Sequence, residues 1–153
     1  MRKDKIDPET TKKLDAILKK SADLFQKNAL RESLAVAEEA WDLIPEPKEK
    51  WDYYPQSLSS GFVQDYVELG DIESFRKWID LTYRMYDDPD HNSSHYVLML
   101  EGSSLYNLDL KDEAFDVFDR IYNLFGREGF KGEQTTYLEF YLKERARRGE
   151  TTR

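Results

Sequence analysis

The sequence predicts an all-α fold, a right-handed solenoid of three helical hairpins closed by a C-terminal capping helix. Three observations carry that prediction. Apolar residues recur at helical spacing in segment after segment, while Pro and Gly fall between the segments, where helices cannot continue. Strand signals are weak, because no stretch alternates cleanly and β-branched residues are scarce. One apolar stripe also recurs three times along the chain.

The first helix is expected over about 9–27. Asp7-Pro8-Glu9 supplies a cap residue and a proline suited to the first turn, and Leu14, Ile17, Leu18, Leu24 and Phe25 form its apolar side, with Lys12, Lys13, Lys19 and Lys20 on the wet side. A second helix over about 30–43 carries Leu34, Ala37 and Trp41, with Ile44 continuing the stripe, and Pro45-Glu46-Pro47 stops it. Further helices are expected over about 56–69 (Leu58, Phe62, Tyr66, Leu69), 71–86 (Phe75, Trp78, Ile79, Tyr83, Tyr86), 93–108 and 110–125. The last, about 133–148, ends in Lys143, Arg145, Arg147 and Arg148, cations suited to the negative end of a helix, with Gly149 as the stop.

The repeat emerges when the helix pairs are aligned on turns at Asn28, Gly70 and Asp109. Five residues on stand Ser33, Phe75 and Ala114; then Ala37, Ile79 and Phe118; then Trp41, Tyr83 and Tyr122; then Ile44, Tyr86 and Phe125. The units, about 9–45, 55–87 and 93–126, are spaced by 42 and then 39 residues. Hairpins of this kind bury their faces by stacking, which would give a concave side lined by the first helix of each pair.

Composition narrows the function classes. The chain has 153 residues, enough for one domain that buries about 68–70% of its unfolded surface, and its 14% aromatic content far exceeds that of a disordered chain despite a mean hydropathy of -0.80. With no Cys and two His, disulfides, thiolate metal sites, iron–sulfur clusters and a cysteine nucleophile are excluded. The net charge is -8, and it is uneven: residues 28–126 carry -13, against +3 for 1–27 and +2 for 127–153. That sign argues against binding nucleic acid through its phosphates. No apolar run approaches the roughly 20 residues of a membrane span. Met1-Arg2-Lys3-Asp4-Lys5 leads into a charged segment, so a cytoplasmic location without membrane contact is expected.

In the third unit Gly102, Ala114 and Phe118 stand at the offsets of the glycine, alanine and phenylalanine of a tetratricopeptide repeat, and Pro45 closes the first unit as that motif's proline does. The unit resembles that repeat. It departs from it in spacing, which exceeds 34 residues, and in having Phe75 and Ser33 where the small alanine belongs.

A second resemblance covers most of residues 35–142. The run Ala40-Trp41-Asp42-Leu43-Ile44-Pro45-Glu46-Pro47-Lys48, then Trp51, Leu69-Gly70-Asp71, Gly126, Phe130-Lys131-Gly132 and Tyr137-Leu138-Glu139-Phe140-Tyr141, resembles small helical-repeat immunity proteins encoded beside bacterial polymorphic toxins, including those of contact-dependent growth inhibition. The resemblance implies a cytoplasmic protein that binds and blocks the toxic C-terminal domain of a much larger secreted or surface protein. It supplies no binding residues position by position.

Candidate sites must therefore be read from the residues. Asp87-Asp88-Pro89-Asp90-His91-Asn92-Ser93-Ser94-His95 offers carboxylates and two imidazoles, but Asn92-Ser93-Ser94 reads as the cap of the next helix, so a capped acidic loop is expected and no metal. Ser59-Ser60-Gly61 and Gly102-Ser103-Ser104 fall inside helices, where hydroxyls bond back to the preceding turn, so no catalytic serine is assigned. Glu38-Glu39 and Asp112-Glu113 lie opposite the apolar stripe and read as solvated faces. Trp51, Tyr53 and Tyr54, in a connection flanked by Pro47 and Pro55, either lock unit one to unit two or serve as interface anchors. Glu101, on a first helix beside Gly102, either points into the concave groove or pairs with a buried cation; Asp65 and Glu68 on a first helix, together with Asp52 and Glu101, could build a negative groove that steers a basic protein.

The expectation is thus a protein with no catalytic residue, metal or cofactor, whose partner is a cognate toxin domain, a basic effector of nuclease type. Trp51, Asp52, Tyr54, Asp65, Glu68 and Glu101 are its candidate partner-binding residues. The alternative is a cytoplasmic adaptor or secretion chaperone that holds peptide segments of several proteins.

Overall fold

Asp7 starts the first helix: its carboxylate accepts a hydrogen bond from the Thr10 backbone N–H at 2.9 Å, which holds its carboxyl below the usual range, and Pro8 takes the first helical position. The computed structural model describes residues 3–151, with side chains through Gly149. Over that range the helices are α1 (Pro8–Gln26), α2 (Leu30–Leu43), α3 (Tyr54–Glu68), α4 (Ile72–Met85), α5 (His95–Asn107), α6 (Lys111–Phe125) and α7 (Thr135–Thr151). Short 3₁₀ turns occupy Lys48–Lys50, Gly126–Gly129 and Gly132–Gln134. The described residues form no strand, and one isolated parallel bridge joins Asp4 to Trp51. The predicted helices are all present. One stop signal fails: Gly149 lies inside α7, which continues to Thr151.

The helices pack as hairpins, α1 with α2, α3 with α4 and α5 with α6, and α7 rests on α6. The hairpin turns are built alike. Asn28, Gly70 and Asp109 adopt φ of 63°, 70° and 62°, and the residue after each donates its N–H back to Leu24 O, Tyr66 O and Leu105 O at 3.0, 3.0 and 2.9 Å. Closing a helix this way uses carbonyls that the helix itself leaves unpaired. Asp71 then caps α4 through the Ser74 N–H at 3.1 Å.

The backbone divides into two compact units, Met1–Pro89 with α1–α4 and Asp90–Arg153 with α5–α7. In the first, Trp78 is the hub: Phe62 stacks on it at 4.2 Å and Trp41 meets it edge-on at 5.1 Å. Ser33, which replaces alanine in the stripe, bridges α2 to α1. Its hydroxyl donates to Ser21 O at 2.8 Å while the Ser21 hydroxyl donates to Ser33 O at 2.8 Å, so two buried polar side chains satisfy each other's backbone. The first rows of the stripe are buried in both units, but Phe125 at its end and Phe25 in the last turn of α1 are 37% and 54% exposed. Phe25 therefore lies outside the core expected for it.

In the second unit Gly102 lets α5 approach α6. A Cβ there would fall 2.5 Å from Phe118 Cε1, and Phe118 is fully buried among Phe130, Tyr137 and Phe140. The basic end of α7 docks by charge and ring contacts: Arg148 Nη2 lies 3.0 Å from Asp112 Oδ1, and the Arg145 guanidinium stands over the Tyr122 ring at 5.5 Å. Hydrogen bonds from Arg147 and Arg148 push the Glu144 carboxyl down to about 2.

Candidate functional site

The connection from α2 to α3 is held at several points, beginning with Lys48. Its ammonium donates to Trp41 O at 2.9 Å and Ile44 O at 2.8 Å, a cation on the carbonyls that end α2. The Trp51 indole N–H donates to Pro45 O at 2.8 Å, and Lys50 stands 4.5 Å over the same ring. From the other side the N-terminal segment runs alongside: Asp4 N–H donates to Lys50 O at 3.0 Å, Asp52 N–H donates to Asp4 O at 2.7 Å, and Lys3 pairs with Asp87 at 3.0 Å. Half-buried Trp51 thus serves this clasp within the first of the two compact units.

The clasp ends in a sharp turn at Tyr53. Its φ of 72° and ψ of -66°, with the Tyr54 N–H donating to Asp52 O at 2.9 Å, define a three-residue γ-turn of the strained, positive-φ kind. Such a turn on a residue with a Cβ costs about 1–3 kcal/mol. It leaves the Tyr53 ring 62% exposed, edge to face with Tyr54 at 5.0 Å. Tyr54 is fixed in turn, since its hydroxyl donates to Asp15 Oδ1 at 2.7 Å, and that bond pushes its phenol up to about 12.

Beside these residues lies a largely apolar hollow of about 380 Å³. Ile6, Pro8 and Thr11 line it from the N-terminal segment and α1, and Asp52, Tyr53 and Tyr54 from the connection, with Lys5 also at its wall. Of the candidate residues the structure brings Asp52 and Tyr54 to this hollow with Trp51 as their support. Ile6 and Lys5 escaped the sequence reading because nothing local links residues so far apart. Tyr53 was visible as part of the aromatic set, but its turn has no sequence signal, since Tyr is not a residue that favours positive φ.

Asp65 and Glu68 stand elsewhere. Asp65 is eleven residues beyond Tyr54 on α3, about 16 Å along the axis, so the two acids occupy the far end of that helix. Asp65 is half-buried, and burial together with the neighbouring Glu68 charge holds its carboxyl above the usual range. Glu68 is exposed, and Glu101 is a half-buried residue of α5, in the second unit.

The other clusters have structural employment. Ser94 caps α5 with its hydroxyl toward Val97 N, which places His91 in the preceding turn at φ 58° and His95 at the first helical position, so the two rings do not share a helix turn. The His95 ring donates from Nε2 to Gly129 O at 2.6 Å. Ser59 and Ser60 donate to Pro55 O and Gln56 O at 2.7 and 2.9 Å, and Ser103 to Leu100 O at 3.2 Å. Of the acidic pairs, Glu38 accepts from Tyr66 and Asp112 pairs with Arg148. No helix among the described residues is long and apolar enough to cross a membrane. Comparison with family models, curated proteins and solved structures returned no match.

Proposed function

We propose that the protein is a cytoplasmic immunity protein whose hairpins stack as a right-handed, tetratricopeptide-like solenoid, and which binds and neutralises a cognate toxin domain without catalysis. The observation that carries this reading is the charge of -13 between residues 28 and 126, mounted on helices whose turns and cores are tightly built. A domain that holds nucleic-acid phosphates must be basic, so an acidic scaffold complements a nuclease-type toxin over a wide surface. The resemblance to helical-repeat immunity proteins supports the same reading. Several of the residues that carry it, Trp41, Pro45, Lys48 and Trp51, work together in the clasp that presents Tyr53.

Affinity capture from the native cytoplasm and culture, with partners identified by mass spectrometry, tests it. The expected result is one partner at one-to-one stoichiometry that maps to the C-terminal end of a very large protein and is basic. A neutral or acidic toxin domain would end the charge argument. Several unrelated partners at low occupancy would make the protein an adaptor or secretion chaperone, a reading that the open hollow beside Tyr53 also accommodates.

A further inference from the structure

Rings in this chain are repeatedly covered by its own cations: in the clasp alone Lys48 stands 5.3 Å over Trp41 and Lys50 4.5 Å over Trp51. Tyr53, two residues further on, is 62% exposed instead. Its ring meets the Tyr54 ring edge to face, and among the described residues no cation is placed over it. The neighbouring Asp52 carboxylate is exposed and makes no hydrogen bond or ion pair among the described residues. A strained turn holds both at the mouth of an apolar hollow, and strain of this kind persists only where the surroundings enforce it.

We propose that this hollow takes an arginine side chain projecting from the protein partner. Its aliphatic stem would lie against Ile6 and Pro8, and its planar guanidinium would meet the Tyr53 ring and the Asp52 carboxylate. Charge favours this occupant. Asp4 and Asp15, each bonded to a residue of the same connection, add to Asp52 and outnumber the two nearby cations without an ion-pair partner among the described residues, Lys5 at the wall and Lys50 over Trp51. Arginine fits better than lysine, because its weakly hydrated guanidinium can stack on a ring and face a carboxylate at once. The proposal rests on the reading of a basic partner and names the residue by which that partner would be held.

The test uses the full-length protein, ¹⁵N-labelled, titrated at low salt with Nα-acetyl-arginine N-methylamide and, separately, with the citrulline analogue, which keeps the shape and lacks the charge. Saturable shifts centred on residues 5–6 and 52–54 are expected with the arginine probe. Binding should be at least about five-fold weaker for citrulline and for the Asp52→Asn and Tyr53→Leu proteins, both changes being on exposed side chains that leave the spectrum otherwise dispersed. Absence of saturable shifts at these residues, or equal binding of the two probes, overturns the proposal. Because no toxin is present, the result is separate from the capture experiment. Arginine binding with no single captured partner would sink the immunity reading alone, and capture without arginine binding would sink this site alone.

Discussion

Tyr53 occupies a backbone conformation that glycine adopts freely and tyrosine does not. Since its ring is largely exposed, little packing is lost on removing it. Tyr53→Gly should therefore stabilise the protein by about 1 kcal/mol, the relief of strain outweighing the added freedom of the unfolded chain, as measured by urea denaturation. Loss of stability instead would mean that the ring contacts with Tyr54 outweigh the strain. A stabilised variant that no longer binds the arginine probe would show stability yielded for recognition at one position. Asp65 makes the same comparison for charge. A carboxyl held above its ordinary 3.8 by burial favours the protonated form in the fold, so its contribution is present below that pH and is lost as pH rises through the raised value. At pH 7 the ionised Asp65 is a cost, and Asp65→Asn should raise the melting temperature by roughly 1–2 °C. The difference from the parent protein should shrink to nothing below about pH 3.8, and a difference independent of pH would refute the assignment.

Two helical glycines separate packing from propensity at the scale of an element. Gly61 in α3 has no heavy atom within 4 Å of where a Cβ would stand, so Gly61→Ala should stabilise by about 0.5–1 kcal/mol through helix propensity alone. Gly102 in α5 has the buried Phe118 ring in that space, and Gly102→Ala should destabilise by about 1–2 kcal/mol after the same propensity gain is counted. Opposite signs in parallel chemical denaturation are the expected outcome, and a stabilised Gly102→Ala would show that Phe118 can move aside. The helices themselves were legible in the sequence because their signals are local: caps at Asp7 and Ser94, stops at Pro45 and Pro47, and turn residues at Asn28, Gly70 and Asp109 that tolerate positive φ. Gly149 shows the limit of such signals. A glycine offers a stop, but α7 extends past it, and Arg148 beside it is anchored to Asp112 of α6.

At the scale of the whole molecule the net charge and its concentration between residues 28 and 126 are properties of the sequence, and they bear on how fast a basic partner arrives more than on how long it stays. Charge reversals at Asp65, Glu68 and Glu101 should each slow association with the captured toxin domain by severalfold at low salt, the effect fading above about 0.15 M, as followed by stopped-flow mixing. Unchanged association in all three would move the interface away from these acids. The candidate site was less legible than the fold because it is assembled from residues 5–11 and 51–54, a pairing set by long-range backbone bonds at Asp4 and Asp52 that leave no periodic trace. What could be read was chemistry, the aromatic set and its adjacent carboxylate; what could not was the turn that aims it.

The pairing of Asp4 with Lys50 and Asp52 also fixes how the protein should be handled at the bench. Lys3 is tied to Glu49 and Asp87, and Lys5 and Ile6, just beyond it in sequence, line the hollow. A bulky handle fused close ahead of this segment is therefore expected to weaken capture of the partner more than one placed beyond α7, with the helices unchanged by circular dichroism in both. Handles belong after α7.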